Sequence, residues 1–185
     1  MPQEVVIKDG RTVRLRPAAE EDAAQLVQAI DGVAREGLYF LRSHFDVDVE
    51  KERVSIAEAR EKGNLMLVAL LDGKLVGWVT LFRGRAEFLH HTTELGMGVI
   101  RGFRGVGIGP ALMDYALTWA AQQGFEKVNL GVRAGNERAR ALYRKFGFVE
   151  EGYRVREIKD LEGSYDDTVE MAYFVPQASP PGAKG

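Results

Sequence analysis

One stretch of ten residues carries the first chemical signal: Arg101-Gly102-Phe103-Arg104-Gly105-Val106-Gly107-Ile108-Gly109-Pro110. It follows a strand-like run and opens a helix whose apolar stripe reads Ile108, Leu112, Tyr115 and Trp119. Glycine lets a backbone approach a ligand closely and turn through conformations that a Cβ closes. The free N–H groups of a helix start face outward, with the positive end of the helix dipole behind them. Together these features suit a pyrophosphate. Two common phosphate-binding patterns are excluded. A dinucleotide turn, G-x-G-x-x-G, fails because Pro110 stands where the third glycine belongs after Gly105 and Gly107. A P-loop fails because Ile108 and Gly109 occupy the positions of its Lys and Ser or Thr. Pro110 belongs in a first helical turn, where its missing N–H has no intrahelical partner to lose.

The pattern that does fit is R-x-x-G-x-G, as Arg104, Gly107 and Gly109. Downstream, Asn136 to Phe148 reads N-x-x-A-x-x-L-Y-x-x-x-G-F, with Asn136 a good N-cap, Ala139, Leu142 and Phe146 expected as a buried stripe, and Gly147 a helix stop. The two segments together resemble the GNAT superfamily of N-acetyltransferases over about residues 90–150. The final hairpin, with Glu151-Gly152, Gly163, Tyr165, Asp166 and Met171, is similar to members that act on small amines. The resemblance implies acetyl-CoA as co-substrate and no metal. It implies that Arg104, Gly105, Val106, Gly107, Ile108, Gly109 and Pro110 cradle the pyrophosphate and that Asn136 contacts the pantetheine arm, with Ala139 also in the cofactor site. Backbone groups near Met97, Gly98 and Val99 would bond that arm as a strand would, in a V-shaped gap between strands 92–100 and 128–132. Tyr143 would lie near the sulfur and protonate the departing thiolate.

An amine nucleophile of pKa near 10 is mostly protonated at neutral pH, so a group must accept its proton. Glu94, on the strand beside the expected gap, is the first candidate for that base. His91 and His90 come next, expected at a strand edge and pointing to opposite faces, and His44 reads as a loop residue. With no cysteine in the chain, a Cys acyl-enzyme is excluded and transfer is expected directly in a ternary complex. One departure narrows the choice. Ribosomal-protein acetyltransferases of the superfamily carry a glutamate in an L-E-V-R strand, whereas this chain reads Leu130-Gly131-Val132-Arg133. The leading expectation is an acetyltransferase for a small-molecule amine: an amino acid, an amino-acid analogue or a polyamine. Peptide or protein N-terminal acetylation and a non-catalytic acyl-CoA-binding regulator stand beside it. Asp46, Asp48 and Glu87 are acids that would attract a cationic amine.

The elements that must position these residues alternate in period. Val5 to Ile7, the turn Asp9-Gly10, and Val13 with Leu15 predict a hairpin that Pro17 ends. A helix follows on Ala23, Leu26, Val27 and Ile30, then an irregular stretch from Gly32 to Phe45 with exposed-looking Tyr39, Phe40 and Phe45, then a helix from Asp48 to Lys62. Strands are expected at 65–71, 74–82, 92–100, 128–132 and 148–158, with a last strand ending near Val175. Helices are expected at about 107–123 and 136–146. The fold class is α+β, a mixed, mostly antiparallel central sheet of about seven strands flanked by about four helices. A single domain over residues 1–175 is expected, with a disordered tail over 176–185 that holds three prolines and two glycines.

Composition agrees with that class. Hydrophobic residues make up 45% of the 185 and charged residues 28%, a globular balance with enough chain for a substantial core. A net charge of −2 argues against a nucleic-acid partner. Between residues 100 and 145, however, eight Lys or Arg face three Asp or Glu, a basic excess that suits the phosphates of CoA. No run spans a bilayer and no leader is read at the N-terminus, so a cytoplasmic address and no membrane partner are expected; the family resemblance implies a homodimer.

Overall fold

The computed structural model describes residues 2–40 and 43–176. β1 (Gln3–Val6) and β2 (Thr12–Pro17) form the hairpin around Asp9-Gly10. α1 (Ala23–Ala34) and α2 (Val49–Glu61) follow. Asp48 caps α2, its Oδ1 accepting from the Glu50 and Lys51 N–H groups at 2.8 and 3.4 Å. β3 (Leu65–Leu71) and β4 (Lys74–Arg83) are almost continuously apolar because helices cover both faces of the sheet there. β5 (Thr92–Val99), α3 (Ile108–Gln122), β6 (Lys127–Arg133), α4 (Glu137–Lys145), β7 (Val149–Lys159) and β8 (Tyr165–Phe174) complete the order.

All eight strands join one sheet in the order β1-β2-β3-β4-β5-β6-β8-β7. The eight strands, with the four-residue β1 paired along its whole length with β2, make the expected mixed, mostly antiparallel sheet. One face carries α3 and α4 over a core of Ile108, Leu112 and Met113 against Val79, Leu81, Leu95, Val128 and Leu130. The other carries α1 and α2 over Leu26, Val33, Ile56, Val68 and Trp78. Each such side chain, removed from water, contributes about 1.5–3 kcal/mol.

Every strand pair is antiparallel except β5–β6, which α3 links as a crossover. That parallel pair is short: only Thr92, Thr93 and Glu94 match Lys127, Val128 and Asn129. Beyond it β5 stays with β4 as far as Val99 and β6 stays with β8 as far as Arg133, so the two strands part. No helix among the described residues is long and apolar enough to cross a membrane. Of the expected tail only Pro176 is described; residues 177–185 lie outside the described residues.

Candidate active site

The parting of β5 and β6 opens a cleft of about 430 Å³. Leu95 to Val99 form one wall, Gly131 and Val132 the other, and the start of α3 and one face of α4 close the ends. Val33, Tyr39 and Phe40 roof it from α1 and the segment after it. Tyr39 and Phe40, expected to be exposed, are half-buried: Phe40 packs on Trp78 with ring centroids 6.2 Å apart.

At the α3 end the chain turns through left-handed backbone at Gly102, Gly105 and Gly107 (φ 92°, 87° and 107°), which a β-carbon would strain. Gly107 is the N-cap of α3, no side chain caps the helix, and its first turn contains no acid. The Ile108 and Gly109 N–H groups therefore begin the helix without a capping side chain, and the dipole favours an anion there. Gly105, Gly107, Gly109 and Pro110 line the cleft. Val106 and Ile108 do not: Ile108 is buried in the core, and the Val106 carbonyl accepts from the Lys8 N–H at 2.8 Å. That bond brings Lys8 into the lining, and Arg138 of α4 joins it from the other side.

Arg104 lines the cleft, but its guanidinium is occupied within the protein. Nε donates to the Val99 carbonyl at 2.7 Å, and the two terminal nitrogens donate to the Glu36 carboxylate at 2.8 and 2.6 Å. It also donates to the Tyr39 hydroxyl at 3.2 Å and stacks over that ring. The pair pushes the Glu36 carboxyl below its ordinary value, chiefly through the hydrogen bond from Arg104. The arginine of R-x-x-G-x-G thus fastens the glycine turn to the end of α1, and the anion-facing groups of the turn are backbone.

Tyr143 is the one buried residue of α4 and lines the cleft. Ala139, Leu142 and Phe146, expected as a buried stripe, are half-buried, and Ala139 and Leu142 face the cleft. The Tyr143 ring packs on Phe148 at 5.7 Å. Burial pushes its hydroxyl up to about 12, so it stays protonated at neutral pH. Asn136 caps α4, its Oδ1 accepting from the Ala139 N–H at 3.2 Å, and also lines the cleft. Met97, Gly98 and Val99 lie on the β5 wall.

Glu94 stands two residues before the lining residue Gly96, on the sheet face toward α1 and α2, outside the cleft lining. Its side chain is open to water, yet surrounding protein and then the nearby charge of Glu170 push its carboxyl up, against a smaller opposing effect of Arg154. His90 and His91 are exposed ahead of β5 rather than on a strand edge, and His44 is exposed in a loop; none lines the cleft. Asp48 is occupied as a cap, and Asp46 and Glu87 are exposed away from the lining. Among the described residues no cluster of three His, Asp or Glu could hold a metal.

Sequence reading missed Lys8, Tyr39 and Arg138 in the lining. It also missed Arg133, which donates to the Gly37 carbonyl at 2.5 Å and pairs with Asp166 at 3.0 Å. With Arg104, it pins the segment after α1 across the top of the cleft.

Comparison with known proteins agrees with this geometry. The family model described as acetyltransferase (GNAT) family matches residues 28–148. An uncharacterized N-acetyltransferase of Mycobacterium tuberculosis is 38% identical over 89 residues, 48% of this chain. The match spans 55% of that protein's length, so the chain covers about half of it. Spermidine N(1)-acetyltransferase of Escherichia coli is 26% identical over 167 residues, covering 88% of this chain and 86% of that one. The crystal structure of a GNAT superfamily phosphinothricin acetyltransferase from Sinorhizobium meliloti, in complex with AcCoA, superposes with a TM-score of 0.82 at 19% identity, covering 94% of each chain.

Proposed function

Because this chain belongs to the acetyltransferase (GNAT) family, we propose that it transfers the acetyl group of acetyl-CoA to a primary amine of a small molecule: an amino acid, an amino-acid analogue or a polyamine. The observation that carries the reading is the cleft itself. It runs from a helix start with no capping side chain and no acid in its first turn, between two parted strands, to a buried tyrosine hydroxyl.

In this reading the backbone at Gly105, Gly107 and Gly109 holds the pyrophosphate, with Lys8 and Arg138 beside it. The β5 edge from Leu95 to Val99, which lacks a β6 partner, bonds the pantetheine and supplies an N–H to the acetyl oxygen. The amine arrives as an ammonium ion and gives one proton to Glu94, directly or through water. Its lone pair forms the C–N bond at the thioester carbon, the C–S bond breaks, and the nitrogen loses its second proton. Tyr143, protonated throughout the neutral range, gives its proton to the departing thiolate and is recharged from solvent, so one proton is released per acetylation.

The pinned segment after α1 favours a small acceptor over a polypeptide. Tyr39 and Phe40 roof the cleft, and Arg104 and Arg133 fasten the neighbouring Glu36 and Gly37. A peptide would need that roof open. The test is thiol release from acetyl-CoA across amino acids, phosphinothricin-like analogues, polyamines and short peptides. With no cysteine in the chain, the protein adds no thiol background. Turnover on a small amine is expected; turnover on peptides alone would replace the acceptor, and acetyl-CoA binding without turnover on any of them would favour a sensor.

A further inference from the structure

We propose that Glu170, on β8, is the carboxylate that receives the ammonium group of the acceptor, in the place that position 131 leaves bare. The inference rests on the acetyltransferase reading above and names the group that binds its second substrate.

Register sets the geometry. Gly131 pairs directly with Glu170 across β6 and β8, and Glu94 pairs with Asn129 across β5 and β6. Directly paired residues point to the same face, so Glu94, Gly131 and Glu170 all look toward the α1 and α2 side. A β-carbon placed on Gly131 would lie 3.5 and 4.0 Å from the two Glu170 carboxylate oxygens. The carboxylate of β8 therefore lies over the glycine of β6. Gly131 lines one wall of the cleft and Gly96 the other, so neither strand puts a side chain between the cleft and these acids at that level.

Charge completes the case. Arg154 Nε lies 3.0 Å from one Glu170 oxygen as an ion pair, while its Nη1 donates to Glu157 at 2.9 Å. Arg133, on the same face, is committed to Asp166 and the Gly37 carbonyl. With Glu157 paired to the same guanidinium, Glu94, Glu157 and Glu170 against Arg154 leave two net negative charges beside the opening, and an arriving ammonium offsets one of them. Glu170 then binds the cation while Glu94 takes its proton, a division of labour between a carboxylate with an ion-pair partner and one whose charged form is disfavoured by its surroundings.

The experiment measures steady-state kinetics of the whole chain with the best amine of the panel, for wild type, Glu170→Gln, Arg154→Met and the double variant Glu170→Ala/Gly131→Glu. A hydrogen bond to a charged group lost from substrate binding predicts a KM for the amine raised about 10–100-fold in Glu170→Gln, with little change in kcat or in the KM for acetyl-CoA. Arg154→Met should move the amine KM less than about 3-fold, because it removes only a surface partner. The double variant returns a carboxylate to the same spot from the neighbouring strand and should recover most of the loss. An amine KM within twofold of wild type in Glu170→Gln, or an Arg154→Met defect equal to it, overturns the proposal while leaving the acetyltransferase reading intact. Should Glu170→Gln melt early, the double variant decides: an amine KM near wild type supports the role, and one raised 10-fold or more overturns it. A wild type that acetylates none of the amines overturns the acetyltransferase reading and this inference with it.

Discussion

Arginine in a phosphate-binding sequence pattern invites the expectation that it touches phosphate, and the Arg104–Glu36 pair makes a different outcome measurable. Exposed ion pairs contribute about 0.2–1 kcal/mol, whereas breaking a fully buried one costs about 3–5 kcal/mol. Both side chains here are 17% exposed, the contact is bidentate, and Arg104 also binds the Val99 carbonyl. A loss of about 2 kcal/mol is expected for Glu36→Gln or Arg104→Gln, a fall in Tm of about 4–8 °C for a chain of this size. Because the pair fastens the glycine turn, both variants should also weaken acetyl-CoA binding by about 1 kcal/mol, roughly fivefold in Kd. The double variant should bind about as tightly as either single one, since both remove the same fastening. Calorimetric titration with acetyl-CoA and thermal melts supply the cycle. If Arg104→Gln costs tenfold more affinity than Glu36→Gln, the guanidinium contacts the ligand and the fastening role is refuted. The pH sign follows from Glu36. Its native carboxyl lies below the ordinary 4.5, so the pair's contribution is complete above that value and is lost as pH falls through the lowered one. Melts of wild type and Glu36→Gln should converge in acid.

Other expectations follow from the same geometry. Tyr143→Phe should lower kcat about 100-fold with acetyl-CoA affinity unchanged, and because its hydroxyl is held near 12, the variant should keep the wild-type pH profile below pH 9; an unaltered kcat removes it as the acid. Glu94→Gln should abolish the acidic limb of the kcat/KM profile, a limb placed above the ordinary glutamate range because the carboxyl is pushed up. The same raised value means native stability falls as pH rises from 4.5 through it, so Glu94→Gln should melt higher than wild type at pH 7 and equally near pH 4. Gly98→Ala should fail by overpacking, since the new carbon would sit 2.5 Å from Trp78 Cζ2 in a buried indole. About 2 kcal/mol and 4–8 °C of Tm are expected to go, and a melt within 1 °C of wild type would show that the indole can move.

What was legible in the sequence was local. The left-handed turn at Gly105 and Gly107, the cap at Asn136 and the stop at Gly147 each depend on a residue and its immediate neighbours, so spacing alone places them. The strand ends were readable because Gly and Pro punctuate them. The site residues missed are those that the fold brings from far along the chain. Lys8 reaches the cleft through one bond to Val106, and Tyr39 and Phe40 through packing in a segment with no periodicity. The partner of Arg104 was not readable for the same reason: the carboxylate comes from Glu36, 68 residues earlier. The stripe on α4 was read as core, and two of its three residues, Ala139 and Leu142, face the cleft instead, because an apolar ligand wall and a core wall have the same pattern.

The short seam between β5 and β6 has a mechanical consequence. Five strands on one side and three on the other share only three residue pairs, so the sheet resembles two plates riveted at one corner, with α3 spanning the joint. A molecule lying in the gap and bonded to both edges acts as a second rivet. Acetyl-CoA would then be a structural brace as well as a reagent, adding about 2.7 kcal/mol at a hundredfold excess over its Kd. The plates would be freest to hinge after product leaves, when release of CoA removes the brace.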